Sequence, residues 1–156
     1  IVEWGKTLLE FEVKMTSKNL PTAVEVRGWD RKKNKEVTGV ASAADVTRKI
    51  GGDTLGLSAI KKSFGDFKNV FIDSSVYDQK TADALALSYL TEISMGYISA
   101  QGKCQGNNKI KEGAILEVKE AGERFSGKYL VENAEHRFIS EGGYHTRFDL
   151  KRNAMA

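Results

Sequence analysis

Apolar and polar residues alternate along several stretches of this chain, and the alternation restricts it to a fold built mainly of strands. Along residues 8–15 the apolar parity is held by Leu9, Phe11, Val13 and Met15. Residues 144–151 repeat the pattern, with Tyr144 and Phe148 on the parity expected to face the core. Successive side chains of a strand point to opposite faces of its sheet, so each stretch predicts a half-buried strand.

The chain divides into three consecutive segments. Residues 1–41 show strand patterns separated by polar turns, residues 42–97 are mostly helical in pattern, and residues 98–153 return to strands. One helix is clear, because its apolar residues recur every three or four positions: Ala82, Leu85, Ala86, Tyr89, Leu90, Ile93 and Tyr97. Asp78 or Thr81 is expected to cap its start, and shorter helices are expected near residues 42–50 and 57–64. We therefore predict an α+β fold, mostly β, with small barrel-like antiparallel sheets and one main amphipathic helix.

Charge and hydropathy argue against two kinds of partner. The chain of 156 residues carries 24 basic and 21 acidic residues, a formal net charge of +3. The basic residues are scattered except for Arg31, Lys32, Lys33 and Lys35, which we interpret as a solvated turn rather than a nucleic-acid contact. No apolar run reaches the ~20 residues needed to cross a bilayer. We expect neither nucleic-acid binding nor stable membrane insertion.

The candidate catalytic residues are the two histidines and the one cysteine, Cys104. The parity of the last strand places His145 on its polar face, whereas His136 shares the parity of buried neighbours and should be partly buried or lie at the edge of that face. The histidines then project to opposite sides of the sheet. No spacing typical of metal ligands is present, and a lone cysteine is more often a buried small residue than a nucleophile. The sequence predicts no catalytic, cofactor or metal site and no enzyme.

The carboxy-terminal motifs add a family resemblance. The segments "GERFSGKYLVENAEHRF" and "GGYHTRFDLKRN" resemble the late-control D, or VgrG, family of hub proteins from contractile phage tails and type VI secretion spikes. Upstream, "VEVRGWD" resembles a strand of the family's first barrel. The residues that carry the resemblance, and that it implies are structural, are Gly28, Trp29, Asp30, Gly127, Tyr129, His136, Gly142, Gly143, Tyr144, Thr146, Phe148 and Arg152.

The resemblance implies a mechanical role. Family hubs form homotrimers that join the tail-tube protein to a spike and other baseplate proteins, and some carry effector cargo. They assemble in the bacterial cytoplasm and end up in a virion baseplate or in a secreted, injected spike complex. On this basis residues 1–41 complete a first hub barrel, residues 42–97 connect, residues 98–153 form the second β region, and residues 154–156 begin a linker toward a spike.

Two alternatives remain open at the level of sequence. A small basic β-rich domain is also compatible with a nucleic-acid-binding barrel, and a hydrolase domain using His136 or Cys104 is a further possibility. The expected function is the hub module.

Overall fold

The computed structural model describes residues 1–155, and it is mostly β. Strands take 46% of the residues and helices 18%, which confirms the predicted α+β class weighted toward β. In chain order the strands are β1 (Val2–Glu3), β2 (Leu8–Met15), β3 (Ala23–Asp30), β4 (Lys35–Ser42), β5 (Thr54–Leu55), β6 (Lys68–Ile72), β7 (Ile98–Gln105), β8 (Ile115–Lys119), β9 (Gly127–Ile139), β10 (Gly143–Arg152) and β11 (Ala154–Met155). The α-helices are α1 (Gly56–Phe64) and α2 (Gln79–Ser94), and short 3₁₀ turns cover Ala43–Asp45 and Met95–Tyr97.

The chain forms two compact units built from interleaved segments. The six-stranded unit contains residues 1–16, residues 49–54 and the described chain from Met95 onward. The three-stranded unit contains residues 17–48 and 55–94.

The six-stranded unit is a curled half-barrel sheet with the strand order β1-β8-β9-β10-β7-β2. All its pairings are antiparallel except β1 with β8. One face is apolar and buried because the register keeps a single parity on it across neighbouring strands. Directly opposed residues on that face include Leu150 with Ala100 and Val131, and all three are buried.

The first long strand departs from its predicted alternation. A bulge lies between Leu8 and Glu10, so Leu8 pairs with Cys104 and faces the core, where it is 2% exposed. Leu9, expected on the buried face, is instead 43% exposed, and Met15 at the strand end is also exposed. The bulge inserts one extra residue into β2. The strict alternation of faces is therefore broken there, and residues before the bulge have the opposite parity to residues after it.

The three-stranded unit has the strand order β4-β3-β6, with β3 and β4 forming an antiparallel hairpin and β6 running parallel to β3. Helix α2 packs on this sheet at very short range, because a Cβ on Gly39 would overlap the backbone of Ala82. The helix turns small residues toward the sheet: Ala82 and Ala86 are fully buried, as is Leu90. The predicted stripe is therefore confirmed, with Leu85, Tyr89 and Ile93 half-buried at its margins.

Helix α2 has its expected cap, and a glycine ends α1. The Asp78 carboxylate accepts a 2.9 Å bond from the backbone N–H of Thr81, and together with the Thr81 hydroxyl this bond lowers the pKa of Asp78. Gly65 ends α1 with a φ of 85°, in the region that glycine adopts most easily.

One of the predicted helices is wrong. The helix expected over residues 42–50 is only a three-residue 3₁₀ turn at Ala43–Asp45, because Val46 takes up an extended conformation and is buried. Residues 154 and 155, assigned to the start of a linker toward a spike, form a strand, and Ala154 is fully buried; the linker itself stays a prediction. Ala156 lies outside the described residues.

The compact units also differ from the three consecutive segments of the sequence. Residues 1–41 do not form one β region, because β2 pairs with β7 in the six-stranded sheet whereas β3 and β4 belong to the three-stranded sheet. The place of each segment in a hub barrel stays a prediction.

Candidate functional site

The β9–β10 hairpin separates the two histidines. His136 is paired with Thr146 and His145 with Arg137, and adjacent positions on a strand face opposite ways. His136 is exposed and lies at the edge of the buried face: Val131 behind it is buried, whereas Phe138 beyond it is 82% exposed. The two rings therefore do not form a shared site.

The His136 ring joins three parts of the chain by hydrogen bonds. Its Nε2 lies 3.0 Å from the carbonyl oxygen of Ile110, and its Nδ1 lies 3.1 Å from Thr146 Oγ1 and 2.9 Å from the Tyr144 hydroxyl. A carbonyl oxygen can only accept a hydrogen bond. Nε2 therefore carries a hydrogen and donates a hydrogen bond to the carbonyl oxygen of Ile110. Thr146 Oγ1 also accepts from the backbone N–H of Asn107 at 3.0 Å. The ring thus ties the loop of residues 106–114 to both strands of the hairpin.

Tyr144 covers the start of that loop rather than the core. Its ring lies over Gly106, where a Cβ would overlap it, and Gly106 N–H donates to the Tyr144 carbonyl at 2.8 Å. Tyr144 is 38% exposed, so its predicted core position is wrong, whereas Phe148 is 3% exposed, as predicted. The cause is that β7 ends at Gln105, opposite His145, and no third strand continues beside Tyr144.

Arg152 is the largest fully buried side chain, at 1% exposure. Its guanidinium carbon lies 4.5 Å from the centre of the Tyr129 ring. Nη1 donates to the carbonyl of Ser126 at 3.1 Å and Nη2 donates to the carbonyl of Arg124 at 2.6 Å. No carboxylate among the described residues pairs with it, and its Nε has no hydrogen-bond partner there. Burial accordingly lowers the pKa of Arg152.

Tyr129 completes this cluster. Its hydroxyl donates to the carbonyl of Phe125 at 2.6 Å, and burial raises its pKa. The carbonyls of residues 124, 125 and 126 are therefore held in turn by Arg152, Tyr129 and Arg152. Gly127, with a φ of 125°, leaves room for the guanidinium, because a Cβ there would contact Nη1. Gly127, Tyr129 and the distant Arg152 thus form one cluster that holds the backbone of residues 124–126.

The motif Gly28, Trp29, Asp30 fixes the β3–β4 turn. A Cβ on Gly28 would overlap Val76, and the backbone N–H of Trp29 donates to the Val76 carbonyl at 2.9 Å. The Asp30 carboxylate accepts from the N–H groups of Lys33 and Lys32, which lowers its pKa. The Trp29 side chain is left 47% exposed.

The last hairpin turns at Gly142 and Gly143. Gly143 has a φ of 73°, in the left-handed region, and Gly142 N–H donates to the Ile139 carbonyl at 3.2 Å. These glycines shape the turn and bring no titratable group with them.

Cys104 lies within β7 and is 1% exposed. Burial raises the pKa of its thiol, which disfavours the thiolate that a nucleophile requires.

The polar face of the six-stranded sheet forms an open groove of about 690 Å³. Its charged side chains come from four adjacent strands and include Glu10, Glu12, Lys103, Glu135, Arg147 and Asp149. The acidic members are largely neutralised locally: Glu10 pairs with Lys103 at 3.5 Å and Glu12 with Lys14 at 3.1 Å. The arrangement is that of a solvated sheet face with mixed charges.

The sequence did not predict the exposed apolar residues of the three-stranded sheet. On the face opposite α2, Ile72 is 84% exposed, Val40 54% and Val70 45%. Strand β6 is also an edge strand, because β3 is its only neighbour among the strands of residues 1–155. The signal was present in "FKNVFI", which is too apolar for a strand that has one solvated face and one free edge.

A buried carboxylate lies at the centre of the same face. The Glu25 side chain is 6% exposed and forms ion pairs with Lys68 and with Arg27, the latter at 2.5 Å. These two partners lower the pKa of Glu25. The cluster links β3 to β6. The alternation of polar and apolar residues did not predict it.

Within residues 1–155 there is no group of three or more potential metal-ligating side chains. In the same range, no helix combines the length and the apolar character that a membrane crossing requires.

Solved structures with the same fold come from phage tails and related particles. A tail protein from Neisseria meningitidis MC58 matches with a TM-score of 0.61 and 10% identity, covering 97% of this chain and 43% of that one. The 43 kDa tail protein of prophage MuSo2 from Shewanella oneidensis matches with a TM-score of 0.68 and 6% identity, covering 97% and 42%. A chain of a native gene transfer agent virion matches with a TM-score of 0.50 and 11% identity, covering 91% of this chain and 27% of that one. The fold is therefore one found in phage tail proteins, and this chain spans less than half the length of the two tail proteins.

The chain belongs to the family described as the Alg8 N-terminal domain, whose model matches residues 1–141. No curated protein matches it in sequence. The likenesses to solved tail proteins show a shared fold, whereas a tail-related role and the late-control D assignment remain proposals.

Proposed function

We propose that this chain is a structural hub module of a contractile injection apparatus, similar to the late-control D, or VgrG, hubs, and that it has no catalytic activity. In this proposal it is part of a homotrimer that joins the tail tube to the spike. The observation that carries the proposal is the shared fold with two phage tail proteins across 97% of the chain.

The use of the motif residues supports a mechanical role. His136 and Arg152 both direct their nitrogens at backbone carbonyls, and Tyr129 does the same with its hydroxyl. A catalytic site needs titratable groups that converge on a space where a substrate fits. Here these groups are used to fasten loops to strands, which gives a rigid part rather than a reactive one.

The exposed apolar residues support assembly. Monomeric proteins blunt their sheet edges, whereas β6 presents Val70 and Ile72 beside a free edge. Such a surface suits burial against another subunit or against tube, spike or baseplate protein. The location that follows is a virion baseplate or an injected spike complex assembled in the bacterial cytoplasm, with effector cargo as a possible passenger and no part for nucleic acid or membrane.

The test is the molar mass of the full-length protein that contains this chain, measured by light scattering after size-exclusion chromatography. The proposal expects three copies per particle and co-elution with the tube protein of the same gene cluster. A strict monomer that does not bind tube protein would contradict it. The variant Ile72→Asp should weaken the assembly, with Lys62→Asp on the exposed part of α1 as its matched control.

A further inference from the structure

The end of the β9–β10 hairpin is a two-stranded ribbon that carries exposed apolar side chains. β8 pairs with β9 only as far as Leu130, and β7 pairs with β10 only from His145 onward. The ribbon from about residue 136 to residue 144 therefore has no neighbouring strand on either side. Its tip presents Phe138, 82% exposed, and Ile139, 52% exposed, together with the exposed Glu141.

This ribbon tip, defined as Phe138, Ile139 and Glu141, is held in place rather than loose. The His136 ring bonds to the Ile110 carbonyl and to the Tyr144 hydroxyl directly below the tip. Isolated two-stranded ribbons are marginally stable in water, so this fastening keeps a fixed apolar projection on the surface. A preorganised projection loses little entropy when it binds.

The three-stranded unit has an open pocket of about 600 Å³ beside the β3–β4 turn. Two exposed aromatic side chains line it, Trp29 at 47% and Tyr77 at 65%. Their backbone is rigid, since Trp29 N–H bonds to the carbonyl of Val76, which is fully buried. Aromatic anchors on a fixed backbone are the features that dominate binding energy at protein interfaces.

This aromatic pocket is also positively charged. Arg31, Lys32 and Lys33 line it, and neither Arg31 nor Lys32 forms an ion pair among the described residues. Asp30 and Asp78 also line the pocket as ionised carboxylates, so three cations face two anions and the pocket carries a net charge of +1, with Arg31 and Lys32 as its cations outside any described ion pair. The pocket therefore suits an apolar side chain followed by a carboxylate.

We infer that the ribbon tip of one copy docks in the aromatic pocket of a second copy, with Phe138 against Trp29 and Tyr77 and with Glu141 near Arg31 and Lys32. The chemistry of the two surfaces is complementary in apolar content and in charge. Because they are different surfaces, the contact is head-to-tail, and contacts of this kind close into rings when the rotation permits. The choice of a second copy as occupant rests on the proposed homotrimer.

A single-stranded nucleic acid is the rival occupant, since it also uses aromatic and basic residues. It needs a groove that follows several phosphates, whereas these cations belong to one turn and the chain's net charge is only +3. The apolar tip on the same chain favours the protein partner.

The direct test uses a fluorescein-labelled peptide of residues 136–146, closed by a disulfide between cysteines added at the directly paired positions 135 and 147 and shown by NMR to form the hairpin, and anisotropy with the whole chain. We expect saturable binding that Trp29→Ala weakens at least about tenfold, while Trp4→Ala, at a tryptophan of similar exposure, changes nothing. Reversing Arg31 and Lys32 to glutamate should weaken binding by about tenfold, and a peptide with Glu141→Lys should restore it. Absent binding, binding unaffected by Trp29→Ala, or displacement by a short oligothymidylate would overturn the inference.

A second readout separates this inference from the proposed function. In the full-length protein, Trp29→Ala and Phe138→Asp should each reduce the fraction of trimer, with Phe64→Asp as the control at an equally exposed aromatic residue. A trimer insensitive to both variants overturns the contact and leaves the proposed function standing. A monomer that still binds the peptide contradicts the proposed trimer and supports the contact.

Discussion

The guanidinium of Arg152 stacks 4.5 Å from the centre of the Tyr129 ring, and together the two side chains hold three consecutive backbone carbonyls. The 22 residues of sequence between them include most of the β9–β10 hairpin. The pair therefore joins the beginning of one strand to the end of the next, and it does so without a carboxylate. The pair has a structural role, and we call it the lock because it fixes these carbonyls.

Replacement of Arg152 by lysine should destabilise the fold. A lysine cannot donate two bonds in the guanidinium geometry or stack its head group flat on Tyr129, so at least one buried carbonyl loses its donor. We expect the free energy of unfolding in urea to fall by about 2 kcal/mol. Arg147→Lys, at an exposed position of the same strand, should change it by less than about 0.5 kcal/mol. Equal effects of the two substitutions would contradict the lock.

Tyr129 should make stability fall at high pH. Burial raises its pKa in the folded state, so folding favours the neutral phenol. That stabilisation is complete below the unfolded pKa of about 10 and is lost as the pH rises from there through the raised folded value. In Tyr129→Phe the alkaline decline should be shallower than in the wild type, whereas Tyr77→Phe, at an exposed tyrosine, should leave it unchanged. Parallel curves for wild type and Tyr129→Phe between pH 9 and 11 would rule this out.

Helix α2 should not tolerate a side chain at Gly39. A Cβ there overlaps the Ala82 backbone, so the helix must move away from the sheet. Gly39→Ala should cost about 1–3 kcal/mol of unfolding free energy. Gly142→Ala is the matched control, because its Cβ would meet Ile139 at an ordinary 3.6 Å. A Gly39→Ala protein as stable as the control would show that the helix packs less closely than described.

Glu25 should contribute stability only above acidic pH. Lys68 and Arg27 lower its pKa, so the folded protein favours the ionised carboxylate. The contribution is present above the unfolded pKa of about 4.3 and disappears as the pH falls through the lower folded value. Glu25→Gln should therefore be less stable than wild type at pH 7, with the difference shrinking below about pH 4. Glu12→Gln, in an exposed ion pair, should show little difference at either pH.

Cys104 should react with a thiol reagent only when the protein unfolds. It is 1% exposed and its pKa is raised by burial. Modification by a disulfide reagent at pH 8 should therefore follow the unfolding rate and speed up with urea. Immediate stoichiometric reaction in the native protein would reopen the hydrolase alternative.

The strands were predictable because their signal is local. Alternation identified β2, β9 and β10, and the small-residue stripe of α2 was visible from Ala82 to Leu90. The failures have non-local causes. Leu9 and Tyr144 were assigned to the core from parity alone, but a bulge exposes the first and the early end of β7 exposes the second.

The site was harder to predict than the fold. The motif residues were identified, but their purpose was not, because nothing in the sequence shows that Arg152 returns to the carbonyls of residues 124 and 126. The alternation of polar and apolar residues also did not predict that Glu25 is buried and paired with two cations, or that the apolar β6 is an edge strand. Sheet order decides both features, and sheet order is a property of the whole chain.

Electron cryomicroscopy of particles that contain the full-length protein would show whether it holds a structural position in an injection apparatus. The proposed hub role predicts density for this fold in three copies at the junction of the tail tube and the spike. Particles that assemble with this density absent from the junction, or with the protein found elsewhere as a single copy, would contradict it.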